Sequence, residues 1–329
     1  MQSTLKGTGV ALVTPFTADH AVDYPALQRL LRHVGEGGVE YLVVLGTTGE
    51  SATLSKEEKR DVLSFVVRHN ERQLPVVYGL GGNNTHEVLD TITHTDFTGV
   101  TAILSVSPYY NKPSQLGIYE HYRRVADACP VPVILYNVPG RTGSNVSAAT
   151  TLKLSKHPNI VGIKEASTDW TQVLEIAKGI HASGAEAVTG DGAGSNPGDF
   201  LLICGDDLLA LPTISVGGIG VISVVANAFP ADFSRLVRHA LAGEYGPASR
   251  QLYRFLAVNP LLYEEANPVG VKKVLEMAGV CGAHVRLPLW PASDDLSARL
   301  QKAIRKEGLL DMTDSEAAKP VKNKKSAWL

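Results

Sequence analysis

The chain has 329 residues, a formal net charge of −2, 44% hydrophobic and 19% charged residues. That length suits an α/β barrel of roughly 250 residues with an appendage, and the near-neutral balance argues against a nucleic-acid or anionic-membrane partner. Cys129, Cys204 and Cys281 are scattered with no C-x-x-C spacing, which excludes a disulfide scaffold and fits a reducing compartment. No apolar run approaches the ~18 residues that span a bilayer. Residues 1–8 lack the apolar stretch of a signal peptide. A soluble cytoplasmic protein is expected.

Short β-branched runs alternate with longer amphipathic stretches. Strands are predicted over 9–13, 41–45, 76–79, 101–106, 133–136, 160–164, 200–204 and 220–224. Most begin roughly 25–35 residues apart, the spacing of a βα unit. Unbroken repetition of that unit predicts a closed (β/α)8 TIM barrel in place of an open doubly wound sheet. Ser55-Lys56-Glu57-Glu58 has the form of a capping box, and Val62, Phe65 and Val66 follow at helical spacing. Pro113-Ser114 opens another helix with Ile118, Tyr122 and Val125 on its apolar face. The Gly-rich interval 183–198 precedes a strand, so it reads as a surface insertion on the barrel face away from chemistry. Beyond residue 230 the strand signal stops. Helices are predicted near 231–243, 247–263, 268–279 and 293–307. The expected division is a barrel over 1–230, a helical C-terminal appendage over 231–310, and a polar tail over 311–329. The tail carries Lys319, Lys322, Lys324 and Lys325 and is predicted to be disordered.

In such a barrel the strand C-termini converge on one face, where chemistry belongs. Lys164 closes the apolar run Ile160-Val161-Gly162-Ile163. An ammonium in low dielectric tends to lose its proton, and a neutral amine attacks carbonyl carbon. Other unusual residues also fall at predicted strand ends: Gly46-Thr47-Thr48-Gly49-Glu50, Pro108-Tyr109-Tyr110-Asn111, Tyr136 with Arg141, and Gly205-Asp206-Asp207. Each has a bland reading. Lys164 could be a solvated strand end, Tyr136 a core tyrosine, the Thr47 segment a turn, Arg141 a surface charge, and Asp206 and Asp207 helix caps. The bland readings must all hold together on one face, which makes the chemical one stronger.

On that reading Lys164 forms an imine with a 2-keto acid, and the imine acidifies the α-carbon to give an enamine nucleophile. Thr47, Thr48 and nearby backbone N–H groups bind the keto acid's carboxylate. Tyr136 moves protons, with Thr48 and Tyr110 as a relay. Arg141 grips a carboxylate on the second substrate.

These segments resemble the dihydrodipicolinate synthase family, within the N-acetylneuraminate lyase superfamily of pyruvate-dependent class I aldolases. The likeness spans roughly residues 5–310 and includes 11–16, 46–54, 107–113, 134–143, 160–167, 220–224 and Asn267-Pro268. Gly-Thr-Thr-Gly-Glu and Gly-Ile-Lys-Glu are superfamily motifs, while Arg141 in its Tyr-Asn-Val-Pro-Gly-Arg-Thr-Gly context marks the synthase branch. The resemblance implies that pyruvate binds as a Schiff base on Lys164 and condenses with L-aspartate 4-semialdehyde, in the diaminopimelate route to lysine. It implies that Ile222 offers a backbone contact to the pyruvate carboxylate. It also places Tyr110 in a partner's site, so that a dimer, commonly a dimer of dimers, is needed. No cofactor or metal is implied, and the ten histidines show no H-x-x-x-H spacing. The family's lysine-feedback positions correspond to Ser51, Ala52, Lys56, Lys59, Asn83, Glu87 and Tyr109. Lysine-sensitive members often carry histidine where Lys56 stands, so feedback is expected to be weak. Competing readings are a sialate or 2-keto-3-deoxy-sugar-acid lyase with the same chemistry on Lys164, a keto-acid-binding barrel without turnover, and, more weakly, a metal-dependent aldolase.

Overall fold

The computed structural model describes residues 4–186 and 200–310. Its strands are β1 (Gly7–Ala11), β2 (Tyr41–Val44), β3 (Val76–Gly79), β4 (Ala102–Val106), β5 (Val133–Asn137), β6 (Ile160–Glu165), β7 (Leu201–Cys204) and β8 (Gly220–Ser223). They form a closed barrel in chain order, β1 pairing with both β2 and β8, and every pairing is parallel. The expected TIM barrel is therefore the observed fold.

Side chains alternate across each strand. One set, including Val43, Val77, Ile134, Leu201, Ile203 and Ile222, forms a cluster inside the barrel. The other, including Leu42, Val44, Ile103, Leu135, Ile163 and Leu202, packs outward against the helices. Those are α1 (Tyr24–Glu36), α2 (Lys56–His69), α3 (Thr85–Thr93), α4 (Gln115–Ala128), α5 (Pro139–Thr142), α6 (Ala148–Leu154), α7 (Trp170–Glu186), α8 (Ala210–Ser215) and α9 (Pro230–Leu241). After them come α10 (Tyr245–Phe255), α11 (Asn259–Tyr263), α12 (Val269–Met277) and α13 (Asp294–Glu307). Among the described residues no helix is long and apolar enough to cross a membrane.

Local signals hold where they were read. At the start of α2 the Ser55 hydroxyl accepts from Glu58 N at 3.1 Å, and the Glu58 carboxylate accepts from Ser55 N at 2.9 Å. Ser114 caps α4, accepting from Gly117 N. Three differences from the expected boundaries have a physical reason. β1 begins at Gly7, two residues earlier than expected, because Gly7 and Thr8 pair with Gly220 and Val221 across the closing seam. The helix expected over 247–263 is two helices. Pro260 sits in the first turn of α11, where its missing N–H is tolerated; inside a continuous helix it would break a hydrogen bond and clash. Finally, α9 packs on β1, β8, α1 and α8 and completes the helical ring. The division expected at 230/231 therefore passes ahead of the last barrel helix. Most of the interval 183–198 and the whole tail 311–329 lie outside the described residues.

Closure is tight at one point. Gly220 has φ +151°, and a Cβ there would lie 1.9 Å from the Gly7 carbonyl oxygen. Gly220→Ala combines a strained backbone with overpacking at the β1–β8 seam. It is expected to destabilise the fold by about 3–5 kcal/mol, read as the urea unfolding midpoint. A loss below ~1 kcal/mol would show that the seam does not depend on this glycine.

Candidate active site

Lys164 and Tyr136 are register partners on β6 and β5. Tyr136 belongs to the interior cluster, and the Lys164 Nζ lies 4.4 Å from its ring centroid. The two are only 6% and 7% exposed, so this cation–π contact is largely shielded from water. The next register pair is Asn137↔Glu165. By alternation it faces the helices, and it forms a buried polar lock. Asn137 Nδ2 donates to both Glu165 carboxylate oxygens at 3.0 Å. Gln172 Nε2 on α7 and Ser167 N add bonds of 2.9 and 2.7 Å. Burial raises the Glu165 pKa, while those donors oppose the shift. The lock holds the ends of β5 and β6 together behind the Lys164–Tyr136 pair.

Thr48 lies in the 3-10 turn Thr47–Gly49 that follows β2. Thr48 is buried and Thr47 exposed. Asn267 Nδ2 donates to the Thr48 hydroxyl oxygen at 3.0 Å. The turn ends on Glu50, a left-handed residue with φ 52°. Its carboxylate pairs with Lys272 on α12 at 2.5 Å, both side chains being almost fully buried. Lys272 also donates to His284 O at 2.8 Å, and Arg286 N donates to the other Glu50 oxygen at 3.1 Å. Burial pulls the Lys272 pKa down and the adjacent carboxylate opposes it.

At the end of β8, Ile222 is buried in the interior cluster. The backbone just beyond it is held by Asp207, whose Oδ2 accepts from Val224 N and Val225 N at 3.1 Å each. Tyr263 donates to the same oxygen at 3.4 Å. Burial pushes the Asp207 carboxyl up to about 6. Asp206 caps the following turn through Leu208 N and Leu209 N. The capping role considered for both aspartates thus belongs to Asp206, whereas Asp207 faces β8.

Two expected residues are exposed to solvent. Tyr110 is 87% exposed, with a left-handed φ of 71°. Its hydroxyl makes no hydrogen bond among the described residues; only its backbone N is engaged, to Thr142 O. Arg141 lies exposed on α5, directly after β5. Of the positions matched to lysine feedback, Asn83 donates to Tyr109 O at 3.1 Å. Ser51 and Lys56 lie in the 3-10 turn and α2 start after β2, with Ala52 between them, and Glu87 is in the first turn of α3. Lys59 is half-buried, which lowers its pKa, and the nearby Lys56 charge lowers it further.

Sequence reasoning missed the parts played by Asn137, Glu165, Asp207, Asn267 and Lys272. Lys272 carried a local signal that went unread: a lysine set among Val269, Val271, Val274 and Leu275 on an apolar helix.

Comparison with known proteins agrees with this geometry. A model of the dihydrodipicolinate synthetase family matches residues 4–307. A 4-hydroxy-tetrahydrodipicolinate synthase of Cytophaga hutchinsonii is 51% identical over 91% of this chain and 96% of its own length. The crystal structure of dihydrodipicolinate synthase from Aquifex aeolicus superposes with a TM-score of 0.83 at 37% identity, covering 92% of this chain and 98% of that one. The enzyme from Cyanidioschyzon merolae, solved with lysine bound, gives a TM-score of 0.84 at 36% identity, covering 93% of this chain and 99% of that one. The chain belongs to the dihydrodipicolinate synthetase family.

Proposed function

We propose that this chain condenses pyruvate with L-aspartate 4-semialdehyde through a Schiff base on Lys164, making 4-hydroxy-tetrahydrodipicolinate in the diaminopimelate route to lysine. The observation that carries the reading is the buried Lys164 amine over the Tyr136 ring at the barrel mouth, in a chain of this family.

The neutral Lys164 Nζ adds to C2 of pyruvate, and the carbinolamine loses water to give an iminium. That positive nitrogen draws electrons from C3, which releases a proton and becomes an enamine carbon. C3 then attacks the aldehyde carbon of the second substrate, and the aldehyde oxygen takes a proton. The second substrate's amino group attacks C2, closing the ring and expelling the Lys164 amine. One water leaves per turnover, at iminium formation. Tyr136 and Thr48 move these protons with the partner subunit's Tyr110, which fits the exposed position of that side chain in a single chain. Thr47, Thr48 and the Ile222 backbone hold the pyruvate carboxylate. Arg141 holds the carboxylate of the aldehyde substrate through its planar fork.

The working form is accordingly a homodimer or a dimer of dimers. Three buried free cysteines suit the cytoplasm. The lysine-feedback site would be built from Ser51, Ala52, Lys56, Lys59, Asn83, Glu87 and Tyr109. The Lys56 and Lys59 ammoniums there oppose the ε-ammonium of lysine by ~1–4 kcal/mol.

Borohydride reduction with pyruvate is expected to add one reduced pyruvyl group to the peptide containing Lys164. Lys164→Ala should lose both the adduct and turnover, and an adduct on another lysine would overturn the assignment. Tyr136→Phe should lower kcat by about 10²–10⁴-fold while leaving the fold intact by circular dichroism. Against a panel of aldehydes, aspartate semialdehyde is the expected acceptor, and turnover of N-acetylmannosamine in its place would favour the sialate-lyase reading. Half-inhibition by lysine is expected above ~1 mM; a sub-millimolar value would show that the two ammoniums are no barrier to the effector.

A further inference from the structure

We infer that Asn111 is a positioning residue: clasped to Asn83, it fixes the backbone turn that holds the Tyr110 side chain outside its own chain, where a second copy of the protein can use it. This deepens the proposed function and rests on Tyr110 acting in the partner subunit's site.

The segment between β4 and α4 carries Tyr110 at φ 71° and Lys112 at φ 46°. A left-handed backbone is costly for a bulky side chain and persists only where the surroundings impose it. At Tyr110 the turn is very tight: Asn111 N donates to Tyr109 O, two residues back, at 2.9 Å. The Tyr110 side chain is 87% exposed, and its hydroxyl has no hydrogen-bond partner among the described residues. The direction of the ring is therefore set by the backbone that carries it.

Two sets of contacts impose that backbone. On one side the segment after β5 holds it. Tyr110 N donates to Thr142 O at 3.1 Å, and the Ser144 hydroxyl donates to Pro108 O at 3.2 Å. On the other side are two amides. Asn83 Nδ2 donates to Tyr109 O at 3.1 Å, so this carbonyl accepts two bonds. Asn111 Nδ2 donates in return to Asn83 O at 2.9 Å. The carbonyl before Tyr110 and the side chain after it are thus tied to one residue between β3 and α3. A turn needed only to connect β4 to α4 would be relieved by glycine at position 110. A tyrosine held there against strain, with its ring in solvent, points to a use for the ring that its own chain does not supply.

In the full-length chain Asn111→Ala is expected to lower kcat by about tenfold. KM for pyruvate should stay within about twofold of the parent, and borohydride trapping on Lys164 should be retained. The deciding measurement uses hybrid oligomers, made by co-expressing two differently tagged chains and purifying on both tags. In a hybrid of Asn111→Ala with excess Lys164→Ala, each site with a reactive lysine receives Tyr110 from a chain whose clasp is intact. Its kcat per intact Lys164 should return to within about twofold of the parent. A merely structural defect would persist there, because the damaged chain supplies the lysine. A hybrid that stays at the Asn111→Ala level overturns the inference, as does an Asn111→Ala protein that keeps kcat within about twofold. The hybrid of Tyr110→Phe with excess Lys164→Ala tests the underlying reading separately. It should recover in the same way, and failure there removes the partner role of Tyr110 and this inference with it. If Asn111→Ala does not assemble, Asn83→Ala opens the clasp from its other residue and carries the same hybrid measurement.

Discussion

A parallel sheet that closes on itself has little freedom of register. Shifting one strand by a residue would exchange its inward and outward side chains and open the seam. Here every strand pairs with two neighbours, and β8 returns to β1 through Gly7↔Gly220 and Gly9↔Ile222. The consequences reach the mouth. Because Tyr136 and Lys164 are register partners with alternating neighbours, they turn to the interior together while Asn137 and Glu165 turn outward together. The outward pair then bonds to itself and to α7. The chemistry and its brace are consecutive residues on two strands, separated only by the pleat.

Two buried lysines show how placement decides use. Lys272 is fully enclosed and matched by the Glu50 carboxylate and the His284 carbonyl. Removing one partner of such a pair strands a charge in low dielectric, which is costly, so the pair is a fixed joint. Lys164 is almost as buried but has no carboxylate within ion-pair distance among the described residues; its nitrogen rests on the face of Tyr136. A matched ammonium has nowhere to go. An amine met, among the described residues, only by an aromatic face has no buried ion pair to break if it is to react.

What was legible in the sequence follows from how far each signal reaches. The Ser55 box and the Ser114 cap involve residues three apart, so they could be read directly. Strand positions were readable from β-branched runs, because the inner and outer layers are both apolar. The start of β1 was not, since its first residues are strand only by virtue of β8 more than two hundred positions away. Lys164, Tyr136 and Thr48 stood out because reactive or polar types closed apolar strands. Asn267 and Asp207 were in view, as a motif match and a candidate cap, but not their roles, which lie in contacts with Thr48 and with the Val224–Val225 backbone that no local pattern encodes. Tyr110 was legible as a motif, and in the single chain its side chain is exposed.

The helices after the barrel are best understood through the loop they support. The turn from β2 runs through Leu45 at φ 61° and Glu50 at φ 52°, left-handed conformations that cost non-glycine residues on the order of 1–3 kcal/mol each. A bulky leucine held there needs surroundings that over-determine it. The loop's own backbone bonds are short-range 3-10 contacts, which cannot supply that constraint. Leu45 is held by burial in the core, whereas Asn267, Lys272 and Arg286 hold Thr48 and Glu50 from outside, and Arg286 reaches further, to the Thr53 carbonyl and the Glu58 carboxylate. The appendage is therefore part of the mouth in a physical sense. Without it, the strained turn that carries Thr48 would lose the outside contacts that hold it in place.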